Sequence, residues 1–364
     1  MAVISPEQAR ALRIYSQHLH RKASPGHMVD VIRSLCGVNA QSTPAMMLSL
    51  RARIEGLEAA DVTRAIEQKQ VVRTWAMRGT MHLLDRDDLG WMVSLLGPAI
   101  IPGSRRRRME LGLTDEVLAK SLAEIPAIFK DGPLTRGEIM DRLVSRGVAV
   151  GAGQAPYHLI AYAALKGLLC MGPDRPGGDP TYGLVDSWIG KRKHWTRDEA
   201  LAGLVCRYLR GYGPAGPKDF AAWSGLSLAE SRKGWELARK KEALEELTVD
   251  GRTLWSPASW LCAGTAQVVS LLPAFDAYVL GYFDREHIVP GKYQKEVYHG
   301  GQTVPVLLVD GSAAGVWRYE RRGKKLQIKV SPFVPLGKAT KRLIEDEADD
   351  VGRFFGLSAS IDYA

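Results

Sequence analysis

The chain has 364 residues, 46% of them hydrophobic and 24% charged, which points to a folded protein of two to four domains and excludes a disordered one. No apolar run approaches the ~20 residues of a membrane span, and the N-terminus has neither the basic region nor the apolar stretch of an export signal. The 49 Lys and Arg outnumber the 40 Asp and Glu to give +9, with 16 basic and 10 acidic residues inside 1–110, which suggests a polyanion partner without choosing one.

Apolar spacing predicts helices over 6–20, 28–37 and 59–68. Between the second and third of these, the polar break Asn39-Ala40-Gln41 separates two apolar helical runs, 31–38 and 44–51. Two carboxamides two residues apart can aim at one point and hold a water, because each amide offers a donor and an acceptor. Inside an apolar region such a break costs stability unless its amides find partners. Residues 71–84 read as two short strands around Arg78-Gly79. The run Arg105-Arg106-Arg107-Arg108 reads either as a solvated linker or as a phosphate clamp.

The plan then repeats. A helix over 114–129 precedes one opened by Thr135, with Glu138 three residues on as a capping box. A helix over 155–166 leads to strands 167–171 and 181–185, joined by the turn-rich 173–180. In the third round Thr196 caps a helix over 197–208, again with Glu199 three residues on. Helices 217–224 and 228–241 flank a turn at Gly225, and strands 244–249 and 253–256 pair across Asp250-Gly251. Three rounds of three helices and a hairpin predict winged helix-turn-helix modules in tandem, so the fold class is mainly α with β (α+β).

The expected division is 1–110, 111–195, 196–260 and 261–364. The last segment is expected to form a small barrel or curled sheet from strands 268–272, 304–309, 314–320 and 326–330. A helix over 336–355 is expected to close the chain, its acidic run 345–350 facing solvent. Cys36, Cys170, Cys206 and Cys262 are scattered among apolar residues and read as buried hydrophobes in a reducing cytoplasm. The eight histidines form no metal-ligand spacing, and neither a nucleophile elbow nor a phosphate-binding glycine loop of the Walker type is present. No cofactor and no metal are therefore expected. On this reading alone, a non-catalytic winged-helix regulator remains open beside an enzyme.

Two blocks resemble the AlkZ/YcaQ-type winged-helix DNA glycosylases. They are Arg73-Thr74-Trp75-Ala76-Met77-Arg78-Gly79-Thr80-Met81-His82 and the run from Leu271-Leu272-Pro273-Ala274-Phe275-Asp276 to Gly281-Tyr282-Phe283-Asp284-Arg285. The resemblance implies three winged helices in a C-shape with a small β-barrel, acting as a monomer in the bacterial nucleoid. It implies a glycosylase that removes N7-alkylated guanine from double-stranded DNA, in some members unhooking interstrand crosslinks for self-resistance to a genotoxic natural product, without membrane or metal.

The family's catalytic motif, Gln-apolar-Gln or Gln-apolar-Asp, aligns with Asn39-Ala40-Gln41. Gln41 matches the second glutamine and sets aside the carboxylate branch, while Asn39 is one methylene shorter than the first, a reach deficit of ~1.5 Å. Asn39 and Gln41 are thus the implied catalytic pair. Arg73, Arg78, Arg105, Arg106, Arg107, Arg108, Tyr278 and Arg285 are the expected DNA contacts. Trp75 and Met77 read as core, His82 as a satisfied histidine, and Asp276 and Asp284 as acceptors for backbone or arginine donors.

Overall fold

A computed structural model describes residues 2–190, 195–258 and 267–364. Cys262 lies outside them, while Cys36, Cys170 and Cys206 are buried. The chain forms two compact units. One is built from residues 1–62, 202–223 and 227–364, the other from 63–201 and 224–226. No described helix is long and apolar enough to cross a membrane.

In the larger unit, Ser5 caps the helix Pro6–Ser16 reciprocally with Gln8, and proline occupies the first turn, where no N–H is needed. The helix is shorter than its apolar pattern predicted because His18 turns left-handed at φ 56°. Helices Pro217–Ser224 and Leu228–Lys241 precede the hairpin Leu244–Val249/Arg252–Pro257. Its turn residues Asp250 and Gly251 both have positive φ (47° and 72°), as a type I′ turn requires. Strand Ala2–Val3, absent from the expectations, adds in parallel to this hairpin at Leu247 and Thr248.

Strands Val269–Leu272, Val306–Val309, Ser312–Arg322, Lys325–Pro332 and Ser358–Tyr363 lie side by side in that order. This is an open five-stranded sheet with two edges, so the barrel alternative gives way to the sheet. The helix Lys338–Phe354 does not close the chain, because Ser358–Tyr363 returns to pair in parallel with Lys325–Pro332. Its acidic run is a solvated face only in part, with Glu345, Asp346 and Asp349 exposed. Glu347 and Asp350 bind the fully buried Arg51 at 2.8 and 3.2 Å, and Lys22 at 2.9 and 3.0 Å. The amphipathic period showed which residues were charged, but the cations lie some 300 positions away in sequence.

The smaller unit contains the second round of the repeat. Helices Asp115–Ile128, Arg136–Ser145 and Ala155–Leu165 lead to strands Leu169–Met171 and Thr181–Leu184. Thr135 and Glu138 form the expected capping box. The strands Val71–Trp75 and Met81–Asp85 pair with each other, and Arg73 pairs with Met171, so the first hairpin and the second share a sheet. Trp75 sits in a core with Leu118, Ile125, Leu159, Leu169 and Tyr182. The helix Arg86–Ile100, capped by Asp85, follows the first hairpin and was not anticipated.

Candidate active site

The helix Met28–Ser34 ends where Cys36 and Gly37 take positive φ (55° and 106°), a left-handed stop that frees the chain to extend through Val38 and Asn39. Tyr212 clamps this corner by donating its hydroxyl to the Leu35 carbonyl at 3.1 Å. Gly211 allows the approach, since a Cβ there would collide with the Ser34 carbonyl. Ser42 then caps the helix Thr43–Arg51. Asn39 and Gln41 are thus held between a helix stop and a helix start, with Val38 and Ala40 buried on either side of Asn39.

The Gln41 backbone N–H donates to Asn39 Oδ1 at 3.1 Å, and Asn39 Nδ2 donates to Gln41 Oε1 at 3.0 Å. The first bond orients the second. A backbone N–H can only donate, so Asn39 presents oxygen to it and nitrogen to Gln41. Asn39 is 8% exposed whereas Gln41 is exposed. The two amides therefore address each other, with Gln41 outermost; they do not point side by side at solvent.

The second signature block organises the same unit. Asp276 caps the helix Ala277–Leu280 through the Tyr278 N–H at 2.9 Å. Its two oxygens also take bonds of 2.8 Å from Arg53 Nη1 and Nη2, and one of 2.7 Å from Ser49. Burial alone would raise this carboxyl; the Arg53 charge and the accepted hydrogen bonds outweigh it and hold the pKa below the ordinary value. Tyr282 donates to the Tyr212 carbonyl at 3.0 Å and lies under Arg13 at 4.3 Å. A buried relay thus runs from this block through Tyr212 to Leu35, four residues before Asn39. Sequence reasoning missed Arg53, Ser49 and Tyr212. The tyrosines four apart, 208 with 212 and 278 with 282, were the available signal.

The expected DNA contacts divide. Tyr278 is corrected: it is fully buried and donates its hydroxyl to the Gly311 carbonyl at 3.0 Å, so it braces the fold. Arg73 is corrected likewise. Only 5% exposed, it bonds the Gly172 carbonyl at 3.2 Å and Asp174 at 2.6 Å. The four-arginine run is the start of the helix Arg105–Glu110, not a linker, and its helical spacing splits the side chains. Arg108 is buried, bonded to the Ile101 carbonyl at 3.0 Å and stacked on Tyr162. Arg105, Arg106 and Arg107 are exposed, with surface ion pairs to Asp115 and Glu110. Arg78 is half-buried at the left-handed turn of the first hairpin. Arg285 lines a cleft of ≈ 850 Å³ with Lys218, Arg232, Arg252 and Phe283. Asp284 pairs with Arg252 and accepts the Glu286 N–H at 3.0 Å, the acceptor role expected for it.

No group of three potential metal-ligating side chains exists among the described residues. His82 sets Nδ1 3.0 Å from the Thr80 carbonyl; burial, then the Arg78 charge, push its pKa from 6.5 to about 3. His287 is pushed to about 2 by burial, then by Arg13, Arg10 and Arg252. Both folded values are depressed, so the stability linked to them is fully present above the unfolded value near 6.5 and drains away as pH falls below it. Each histidine is expected to cost about 1 kcal/mol per pH unit there. The melting temperature should therefore fall between pH 7 and 5.5, and fall less for His82→Asn, which keeps a donor for Thr80. Equal acid sensitivity of that variant and wild type would remove His82 as a cause.

A family model described as DNA glycosylase AlkZ-like matches residues 32–354. The interstrand DNA cross-link repair glycosylase of Streptomyces sahachiroi is 30% identical over 374 residues, spanning 96% of each chain. The solved structure of Streptomyces sahachiroi DNA glycosylase AlkZ matches with a TM-score of 0.85 at 28% identity, covering 100% of both chains. With both signature blocks inside the matched span, the chain belongs to the AlkZ-like family of DNA glycosylases.

Proposed function

We propose that this protein hydrolyses the N-glycosidic bond of N7-alkylated guanine in double-stranded DNA, including guanines tethered in an interstrand crosslink. The observation that carries the reading is the Asn39–Gln41 pair: two uncharged amides, the inner fixing the outer, with the outer one exposed. Alkylation at N7 places a positive charge on the purine. When the C1′–N9 bond breaks, its electron pair returns to the base and neutralises that charge, so no general acid is needed. Water supplies the oxygen to C1′ and releases its proton to solvent.

Asn39 orients Gln41 in this scheme. Gln41 holds the water through the second lone pair of Oε1 or through Nε2. Positioning of this kind contributes several kcal/mol, and neutral amides add little charge stabilisation beyond it. The exposed Arg105, Arg106 and Arg107, with Arg78 and Arg285, are the proposed phosphate contacts. The enzyme acts as a monomer, for DNA repair or self-resistance.

The test is a panel of duplexes carrying N7-guanine lesions of increasing size beside uracil and hypoxanthine. Free N7-methylguanine and an alkali-labile abasic site are expected, with no release of the neutral bases. Robust uracil release would sink the account. The shortened Asn39 favours a second reading, a lesion binder without turnover. Lesion-selective affinity with no released base would select it.

A further inference from the structure

The open face of the hairpin Ser312–Arg322/Lys325–Pro332 sets like charges opposite each other twice. Arg318 faces Lys329 and Arg322 faces Lys325, with Glu320 facing Gln327 between them. The adjoining strand places Ser358, Ser360 and Asp362 beside Lys325, Gln327 and Lys329. The alternate residues Trp317, Leu326, Ile328 and Val330 are buried, so the charged ones share the opposite, open face. On that face stand Arg318, Arg322, Lys325 and Lys329 with the acids Glu320 and Asp362, whereas Arg321 sits opposite the buried Leu326 and Lys324 lies in the turn.

Like charges directly across an antiparallel pair destabilise it. The neighbouring acids relieve this only in part. Glu320 pairs with Arg322 at 3.0 Å, and Asp362 accepts from Gln327 at 2.6 Å. Among the described residues no carboxylate lies within ion-pair distance of Arg318, Lys325 or Lys329. A trough of ≈ 260 Å³ crosses the face, lined by Arg318, Arg322 and Lys329 together with Glu320, Gln327 and Asp362. The two like-charged rows stand four residues apart along the strand, ~13 Å. That spacing along the open face suits a run of phosphates rather than one enclosed small anion.

We propose that this face anchors the phosphate backbone of duplex DNA, a role separate from that of the Asn39–Gln41 pair. The proposal rests on the reading of the chain as an enzyme of duplex DNA. Its test compares wild type with Arg318→Gln/Arg322→Gln/Lys325→Gln/Lys329→Gln on an undamaged duplex across a salt series. Each lost phosphate contact should flatten the slope of log K against log salt by about 0.9, so a total change of about 2 to 4 is expected. Because the removed charges repel one another, the variant should melt no lower than wild type. Single-turnover base release at saturating DNA should stay within about twofold.

An unchanged slope overturns the proposal, as does loss of heparin binding with the duplex slope intact. Arg318→Lys/Lys329→Arg keeps the charge and should keep the slope; a drop there would mean packing rather than charge and would also overturn it. Should the fourfold variant fail to fold, Lys325→Gln at the exposed hairpin end reads the same change of about 0.9 singly, and no change overturns it. A wild type that binds with the steep slope yet releases no base fails the enzymatic reading while leaving the anchor standing.

Discussion

Gln41→Ala is expected to slow single-turnover release of N7-methylguanine on the order of 10²–10³-fold, the loss typical when one positioned hydrogen-bonding group is removed. DNA affinity should change by less than about a kcal/mol, because Gln41 carries no charge to offer a phosphate. Asn39→Ala should cost less. It removes the group that orients Gln41 and the acceptor for the Gln41 N–H, but leaves the exposed amide able to reach water in a fraction of its rotamers. The order of the two effects is the sharper result. If Asn39→Ala proves the more damaging, the inner amide touches the water itself and the assigned roles exchange. If both variants excise at the wild-type rate, the pair is not the site, whatever the activity.

The hairpins and helix starts of this fold were legible because their signals are local. Thr135 with Glu138 and Thr196 with Glu199 announce helix starts within four residues, and both reciprocal caps form. Asp250-Gly251 supplies the two positive φ values that a tight hairpin needs. The helix Arg86–Ile100 was hidden for an equally local reason. Its sequence is apolar on nearly every face, and Gly97 and Pro98 punctuate its last turn, so neither period nor composition singles it out.

The site was legible as a motif but not as a geometry. Nothing in Asn39-Ala40-Gln41 says that one amide will be buried and turned onto the other. The corner before Asn39 is held by Tyr212 on Leu35, a contact spanning 177 positions. Charge alone misled at Arg73, Arg108, Glu347 and Asp350. Arg73, Glu347 and Asp350 meet partners distant in sequence, and Arg108 turns back onto the Ile101 carbonyl.

Breaking the Arg53–Asp276 pair should have the largest effect on stability. Both side chains are fully buried, joined by two bonds of 2.8 Å, with Gln17 and Ser49 completing the cluster. Removing one partner strands the other as an uncompensated charge, so Asp276→Ala and Arg53→Met are each expected to cost about 3–5 kcal/mol. The double variant should cost less than their sum, since neither charge is then left alone. The pH dependence has its own sign. The Asp276 carboxyl is depressed in the fold, so its contribution is complete above the unfolded carboxylate value of about 3.9 and is lost only as pH falls through the lower folded value. This window opens only below about 3.9, whereas the histidine losses begin near 6.5, so Asp276→Ala should leave the acid sensitivity between pH 7 and 5.5 unchanged and flatten it below about 4. Calorimetric melting of the single and double variants measures all of this. Single-variant costs under about 1 kcal/mol would equate the pair with an exposed, screened one and remove it as the keystone of the unit that holds Asn39 and Gln41.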